Sequence, residues 1–163
     1  MKYLIMVLFI LSFLPDSIDA RNEEPVPIEI VDYTEDIVGN RLVYHVRENI
    51  RKSEGFYLAG STENRLILHI NSIDPYEGDI EQQGYMTAYS ILYTMGYAND
   101  EYCQCYITSS ISCCGGGRVE EAAELIMVSA EGATGSYWRL VYEWYKSKYE
   151  KYGIDSTNAS DSV

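Results

Sequence analysis

The chain has 163 residues and a formal net charge of −13, from 25 Asp and Glu against 12 Lys and Arg. That balance argues against binding a nucleic-acid backbone by charge, and it favours solubility or a cationic partner. With 47% hydrophobic residues, the chain can form one domain with a modest core.

Residues 1–20 read as a secretory signal peptide. Lys2 is the charged start, 3–14 form an apolar core too short to span a bilayer, and Pro15 ends it. Cleavage is expected after Ala20. No cysteine sits there, so no bacterial lipid anchor is expected, and no later run is long enough for a transmembrane segment. Removing Lys2, Asp16 and Asp19 takes away one positive and two negative charges, so −13 becomes −12. The predicted organisation is a signal peptide (1–20), a single α+β domain (21–153) and a disordered tail (154–163), secreted or periplasmic. Asn158-Ala159-Ser160 fits a glycosylation sequon, meaningful only in a eukaryotic secretory route.

Residues 21–27 read as a flexible lead-in and 28–31 as a short edge strand. Asp36 or Thr34 caps a predicted helix running to about Lys52, with Val38, Leu42, Val43, Val46 and Ile50 at helical spacing and Gly55 after its end. Short and long strands follow at 56–59 and 65–73, separated by a turn at 60–64. Asp74-Pro75 and Gly78 then mark a loop to about Gln83.

The centre of the chain is 84–111, read as two long strands joined at Asn99-Asp100. On the first, Tyr85, Thr87, Tyr89, Ile91, Tyr93, Met95 and Tyr97 share one face, a tyrosine ladder. On the second, Cys103, Cys105, Ile107, Ser109 and Ile111 share a face, opposite Tyr102, Gln104, Tyr106, Thr108 and Ser110. The Cys/Ile face is predicted to point inward and the Tyr/Thr face to be the wetter one. A helix is expected over 118–130, a break at 132–135, and a last helix over 137–152 capped by Ser136. Its stripe of Trp138, Val141, Tyr145, Tyr149 and Tyr152 either packs on the sheet or serves a dimer or membrane-surface contact. The order predicts a two-layer α+β domain, an antiparallel sheet of about four strands with helices on one face and an extra C-terminal helix.

Chemistry-bearing motifs are few. Cys103, Cys105, Cys113 and Cys114 form a C-x-C-x7-C-C pattern, which in an exported chain reads first as disulfides. If 105–113 is extended, eight steps span roughly 26 Å, far beyond the about 7 Å that a disulfide allows between Cα atoms. Pairing then requires a fold-back, an earlier strand end or an intermolecular bond. A four-thiolate zinc site is the alternative. Cys114, just before a helix start, would have a lowered pKa if free. His45 and His69 stand alone, and no Ser/His/Asp order, H-E-x-x-H, P-loop or dinucleotide fingerprint occurs. Gly115-Gly116-Gly117 can form an anion-holding junction or a tight connection. Asp74, Glu77 and Asp79 lack the full spacing of a calcium loop. No cofactor and no catalytic residue is assigned.

The stretch IVDYTEDIVGNRLVYHVRENIRKSEGFYL, the strand RLILHINSIDP, the AYS of the hairpin and CGGGRVEEAAELI resemble uncharacterised secreted or periplasmic bacterial proteins. The order of elements is also similar to small α/β domains of envelope helper proteins, such as the amino-terminal domain of TolB. The resemblance implies a role outside the cytoplasm. The expected function is an exported, non-enzymatic domain that binds another envelope or extracellular component, a protein or glycan, through its sheet face or edge. Exposed aromatic rows offer flat contact area, so Tyr85, Tyr89, Tyr93 and Tyr106 are the candidate surface. The competing reading is a thiol- or metal-dependent activity at 103–114. The oligomeric state is open.

Overall fold

A computed structural model describes residues 24–152, without the side chains of 101–103 and 148–152. The expected signal peptide (1–20), the expected disordered tail (154–163) and the sequon at 158–160 lie outside the described residues. The elements are β1 (Val26–Thr34), α1 (Ile37–Lys52), β2 (Phe56–Leu58), β3 (Arg65–Ile73), β4 (Met86–Tyr97), β5 (Asp100–Gly115), a 3-10 turn (Gly116–Arg118) and α2 (Val119–Tyr152). The strands form one sheet in the order β2-β1-β3-β4-β5.

The domain is α+β, as the element pattern implies, but the sheet has five strands and is mixed rather than antiparallel. β1 lies inside it, parallel to both β2 and β3, while β3, β4 and β5 are antiparallel neighbours. The physical reason is α1. A helix between two strands returns the chain to the same end of the sheet, so the next strand runs parallel. β1 is therefore not a short edge strand.

Both helices cover one face. Val38, Leu42, Val43, Val46 and Ile50 of α1 are buried, and they meet Val26 and Ile28 of β1 and Leu66, Leu68 and Ile70 of β3 in one core. β4 adds Tyr89, Ile91, Tyr93, Met95 and Tyr97 to the same core. The tyrosine ladder is thus the inward face of β4, the reverse of the expectation. Tyr93 is 0% exposed. Its hydroxyl donates to the Ile126 carbonyl at 3.2 Å, so the ring is buried with its polar end satisfied. Burial pushes its pKa up to about 12.

The faces of β5 also differ from a simple alternation. Thr94 pairs with Tyr106 and Tyr93 with Thr108, so Ile107 is an extra residue in a β-bulge. A bulge shifts the alternation by one. Before it, Cys105 points inward with Met95. After it, Ser109, Ile111 and Cys113 point outward with Leu92, Ser90 and Ala88, and Cys114 points inward with Thr87.

α2 is one helix, not two. Its buried positions run Val119, Ala122, Ala123, Ile126, Met127, Ala130, Ala133, Tyr137 and Val141 without a change of period across Gly132 and Gly135. Burying Tyr137 and Val141 in register offsets the roughly 1 kcal/mol that each helical glycine costs. Tyr137 also donates to the Asn64 carbonyl at 2.8 Å. Ser136 lies within the helix and caps nothing.

The start of α1 is fixed by Asp36. Its Oδ1 accepts from the Gly39 N–H at 2.7 Å, as an N-cap does. Its Oδ2 accepts from Ser72 Oγ at 2.6 Å and Thr87 Oγ1 at 2.8 Å, both of them buried residues. A Cβ on Gly39 would sit 1.8 Å from Ser72 Oγ, so only glycine allows this approach.

Two stability measurements follow. A Cβ on Gly135 meets nothing within 4 Å. Gly135→Ala should therefore raise urea-unfolding stability by about 1 kcal/mol if the helix is continuous, and leave it unchanged or lower if the chain breaks there. Asp36→Ala removes the cap and strips an acceptor from two buried hydroxyls. Its expected loss in the same assay is about 2–4 kcal/mol, against a few tenths for Glu35→Ala one residue earlier.

Candidate functional site

With both helices on one face, the opposite face of the sheet has no covering element among the described residues. One end is closed. Arg65 pairs with Glu29, and its guanidinium also donates to the carbonyls of Glu63 and Tyr97, both at 3.3 Å, which draws the 59–64 loop over β3. Arg65, Ile67 and Thr94 are buried there. Gly96 makes room for Ile67, whose Cδ1 would lie 2.5 Å from an added Cβ.

The other end is open. Strand register places Val31, His69, Leu92 and Ser109 in one row across the sheet and Tyr33, Asn71, Ser90 and Ile111 in the next. Ile73, Ala88 and Cys113 extend it by a third. These rows hold no Asp, Glu, Lys or Arg, although the chain carries 37 such residues (25 + 12). Four strands span about 15 Å at the usual spacing. Tyr33 (56% exposed) stacks on His69, with ring centroids 6.3 Å apart and planes 5° from parallel. His69 Nε2 lies 3.1 Å from Thr94 Oγ1 and 3.0 Å from Gln104 Oε1, so the imidazole is held by neutral partners. A shallow depression between β3, β4 and β5 is lined by Asn71, Ile73, Ala88, Ser90 and Ile111.

The sequence-predicted surface residues separate. Tyr89 and Tyr93 are in the core. Tyr85 and Tyr106 are exposed, and Tyr106 (64% exposed) sits on the outer face opposite Thr94, at the closed end rather than in the open rows. Tyr33, His69 and Leu92 replace the buried pair. The parity of β1 and β3 could have found Tyr33 and His69, since Ile28 and Ile30 and Leu66, Leu68 and Ile70 alternate as apolar positions and leave the others facing out.

The cysteines do not assemble. β5 runs straight on through 105–113, with no fold-back. No disulfide joins Cys105, Cys113 and Cys114, and the Cys103 side chain is outside the described residues. Cys113 is exposed on the outer face. Cys114 is buried at the end of the core, where burial, then Cys113 and Asp36, pushes its pKa up. The lowered pKa expected from a helix start does not arise, because Gly115 and a 3-10 turn separate the thiol from α2. Among the described residues, no three His, Cys, Asp or Glu side chains are placed to hold a metal ion. Asp74 and Asp79 bind backbone N–H groups of their own loop: Asp74 accepts from Tyr76 and Gly84, and Asp79 from Glu81. The Gly116 N–H donates to the Tyr85 carbonyl at 2.8 Å, so it is not free for an anion. No helix of the described residues is long and apolar enough to cross a membrane.

Compared with known proteins, the chain matches no protein-family model and no curated protein.

The thiols give a direct check. In the native protein Cys113 should react with a maleimide at least about ten times faster than Cys114, because one is solvent-exposed and the other buried with a raised pKa. Peptide mapping after brief labelling reads the difference. Equal rates would mean that the end of β5 is not paired as described.

Proposed function

We propose that this is an exported binding domain whose contact surface is the open half of the sheet's outer face. The observation that carries the reading is the patch of Tyr33, His69, Leu92, Asn71, Ser90 and Ile111, free of Asp, Glu, Lys and Arg on a strongly acidic chain. Exposed aromatic and aliphatic side chains grouped on a flat surface favour docking, since water gains little from contacting them. The rigid sheet beneath them lowers the entropy lost on binding. The likeness of the Val31-to-Ala130 stretch to exported bacterial proteins supports an envelope or extracellular partner. A thiol-based activity gains no support from a buried Cys114 with a raised pKa beside an exposed Cys113.

The test is site-specific photocrosslinking in the native host. A photoreactive phenylalanine replaces Leu92 in one variant and Tyr142, exposed on α2, in another. The expected result is a discrete adduct from position 92 alone, with a mass that is not a multiple of the chain. No adduct from position 92, or the same adduct from both positions, would sink the reading.

A further inference from the structure

β5 ends the sheet, and among the described residues it has one neighbour, β4. At the opposite edge β2 is only three residues long, and brevity is one way in which natural sheets protect an edge. β5 has 16 residues and none of the usual protection in its second half. From 102 to 117 the sequence has no Asp, Glu, Lys, Arg or Pro. The one protective feature is the bulge at Ile107. Beyond it, residues 108–114 pair regularly with β4 and leave alternate N–H and C=O groups aimed away from the sheet.

The helix layer is also incomplete on this side. The inward-facing Thr108, Ser110 and Ser112 are exposed, so α2 does not cover β5 here. Two open grooves run along the seam. One, of about 380 Å³, is lined by Thr108, Ser110, Ser129, Gly132 and Ser136, and the other, of about 400 Å³, by Ser112, Cys114, Ala122, Leu125 and the mutually paired Arg118 and Glu121. Leu125 and Val128 stay exposed on the helix above.

We propose that β5 pairs antiparallel with β5 of a second copy about a two-fold axis through Ile111, joining two five-stranded sheets into one of ten strands. Three observations select a second copy. A centre at residue 111 lies within the regularly paired segment 108–115 and keeps the residues it would pair, 108–114, clear of the bulge. A two-fold axis there sets Ile111, 85% exposed, against itself, and Ser109 against Cys113 of the second copy, so apolar meets apolar and no like charges oppose. Because each copy without residues 1–20 carries −12, two copies repel at most approaches, and the neutral 102–117 run is a seam where they do not. The strip of Leu125, Val128, Ser129 and Gly132 on α2 would then face its counterpart across the joined sheet, with small residues allowing a close approach. Seven residues of edge, about 24 Å long, across a sheet and helix layer about 20 Å thick give about 500 Å² per copy. That lies below the about 800 Å² per partner of standard interfaces, in the size range of weak, reversible association. The pairing stands independently of what the outer face binds.

The experiment is sedimentation velocity of the protein as exported, from about 1 to 100 µM, with and without reductant, for wild type, Ile111→Lys and Glu124→Lys. Wild type and Glu124→Lys should show a concentration-dependent dimer. Ile111→Lys, which sets two lysines face to face, should raise the dissociation constant at least about tenfold with an unchanged circular dichroism spectrum. A wild type monomeric throughout overturns the proposal, as does a dimer that Ile111→Lys leaves intact or one that reductant dissolves. Ile111 borders both surfaces, but a crosslink at position 92 on β4 reads a foreign partner by its mass and sedimentation reads a second copy, so either result can fail alone.

Discussion

The carboxylate of Asp36 sets the arrangement of the layers. One oxygen caps α1, and the other accepts from Ser72 on β3 and Thr87 on β4, residues 36 and 51 positions away in sequence. Gly39 completes the joint by letting the first turn of the helix touch Ser72. A charged acceptor shared by two buried hydroxyls is stronger than a neutral one, and it is costly to leave unmade. It therefore fixes which face of β3 and β4 lies under the helix. Once Ser72 and Thr87 point inward, alternation sends Leu68, Ile70, Tyr89, Ile91 and Tyr93 inward too, and Asn71, Ser90 and Leu92 outward.

The outer face follows from that choice. α2 packs beside α1 on the same side and extends the core through Tyr137 and Val141, so the helices spend their apolar stripes on one face of the sheet. The acidic side chains go to helix surfaces and loops, as at Glu120, Glu121, Glu124 and Glu131, all exposed on α2. What the outer face retains is Arg65 with Glu29 at the closed end and uncharged side chains at the open one. The aromatic stack of Tyr33 on His69 lies in the open half, held from below by Thr94 and Gln104.

Much of this was legible in the sequence, where one periodicity dominates. The 3.6-residue repeat of Val38, Leu42, Val46 and Ile50 located α1, and the Asp36 cap came with it. β3 and β4 were visible as long runs of β-forming residues. The faces of β4 were not, because a tyrosine serves either side of a sheet. Its ring suits a core when its hydroxyl finds an acceptor, and the acceptor for Tyr93 is a carbonyl 33 residues away. The small residues at Ala88, Ser90 and Gly96 pointed to the alternative, but small residues also line tight cores. β5 misled by one residue, since nothing local marks Ile107 as the extra member of a bulge; only pairing with β4 reveals it. Gly132 and Gly135 read as a break because propensity was weighed without the period of buried residues that runs through them.

The open face and the bare edge meet at Ile111. That residue is the outermost member of the row containing Tyr33, Asn71 and Ser90, and it also lies within the regular half of β5. A sheet that ended in a charged or proline-bearing strand would close the surface at that line. This one ends in Ser109, Ile111 and Cys113, with the same uncharged character as the rows they complete. Continuation across β5 therefore extends the open face rather than covering it. Two copies joined there would present one uncharged strip eight strands wide, formed by the β1, β3, β4 and β5 of each. Such a platform admits a large, flat, neutral or cationic partner more readily than a small polar solute, whose polar groups would find few charged side chains to receive them.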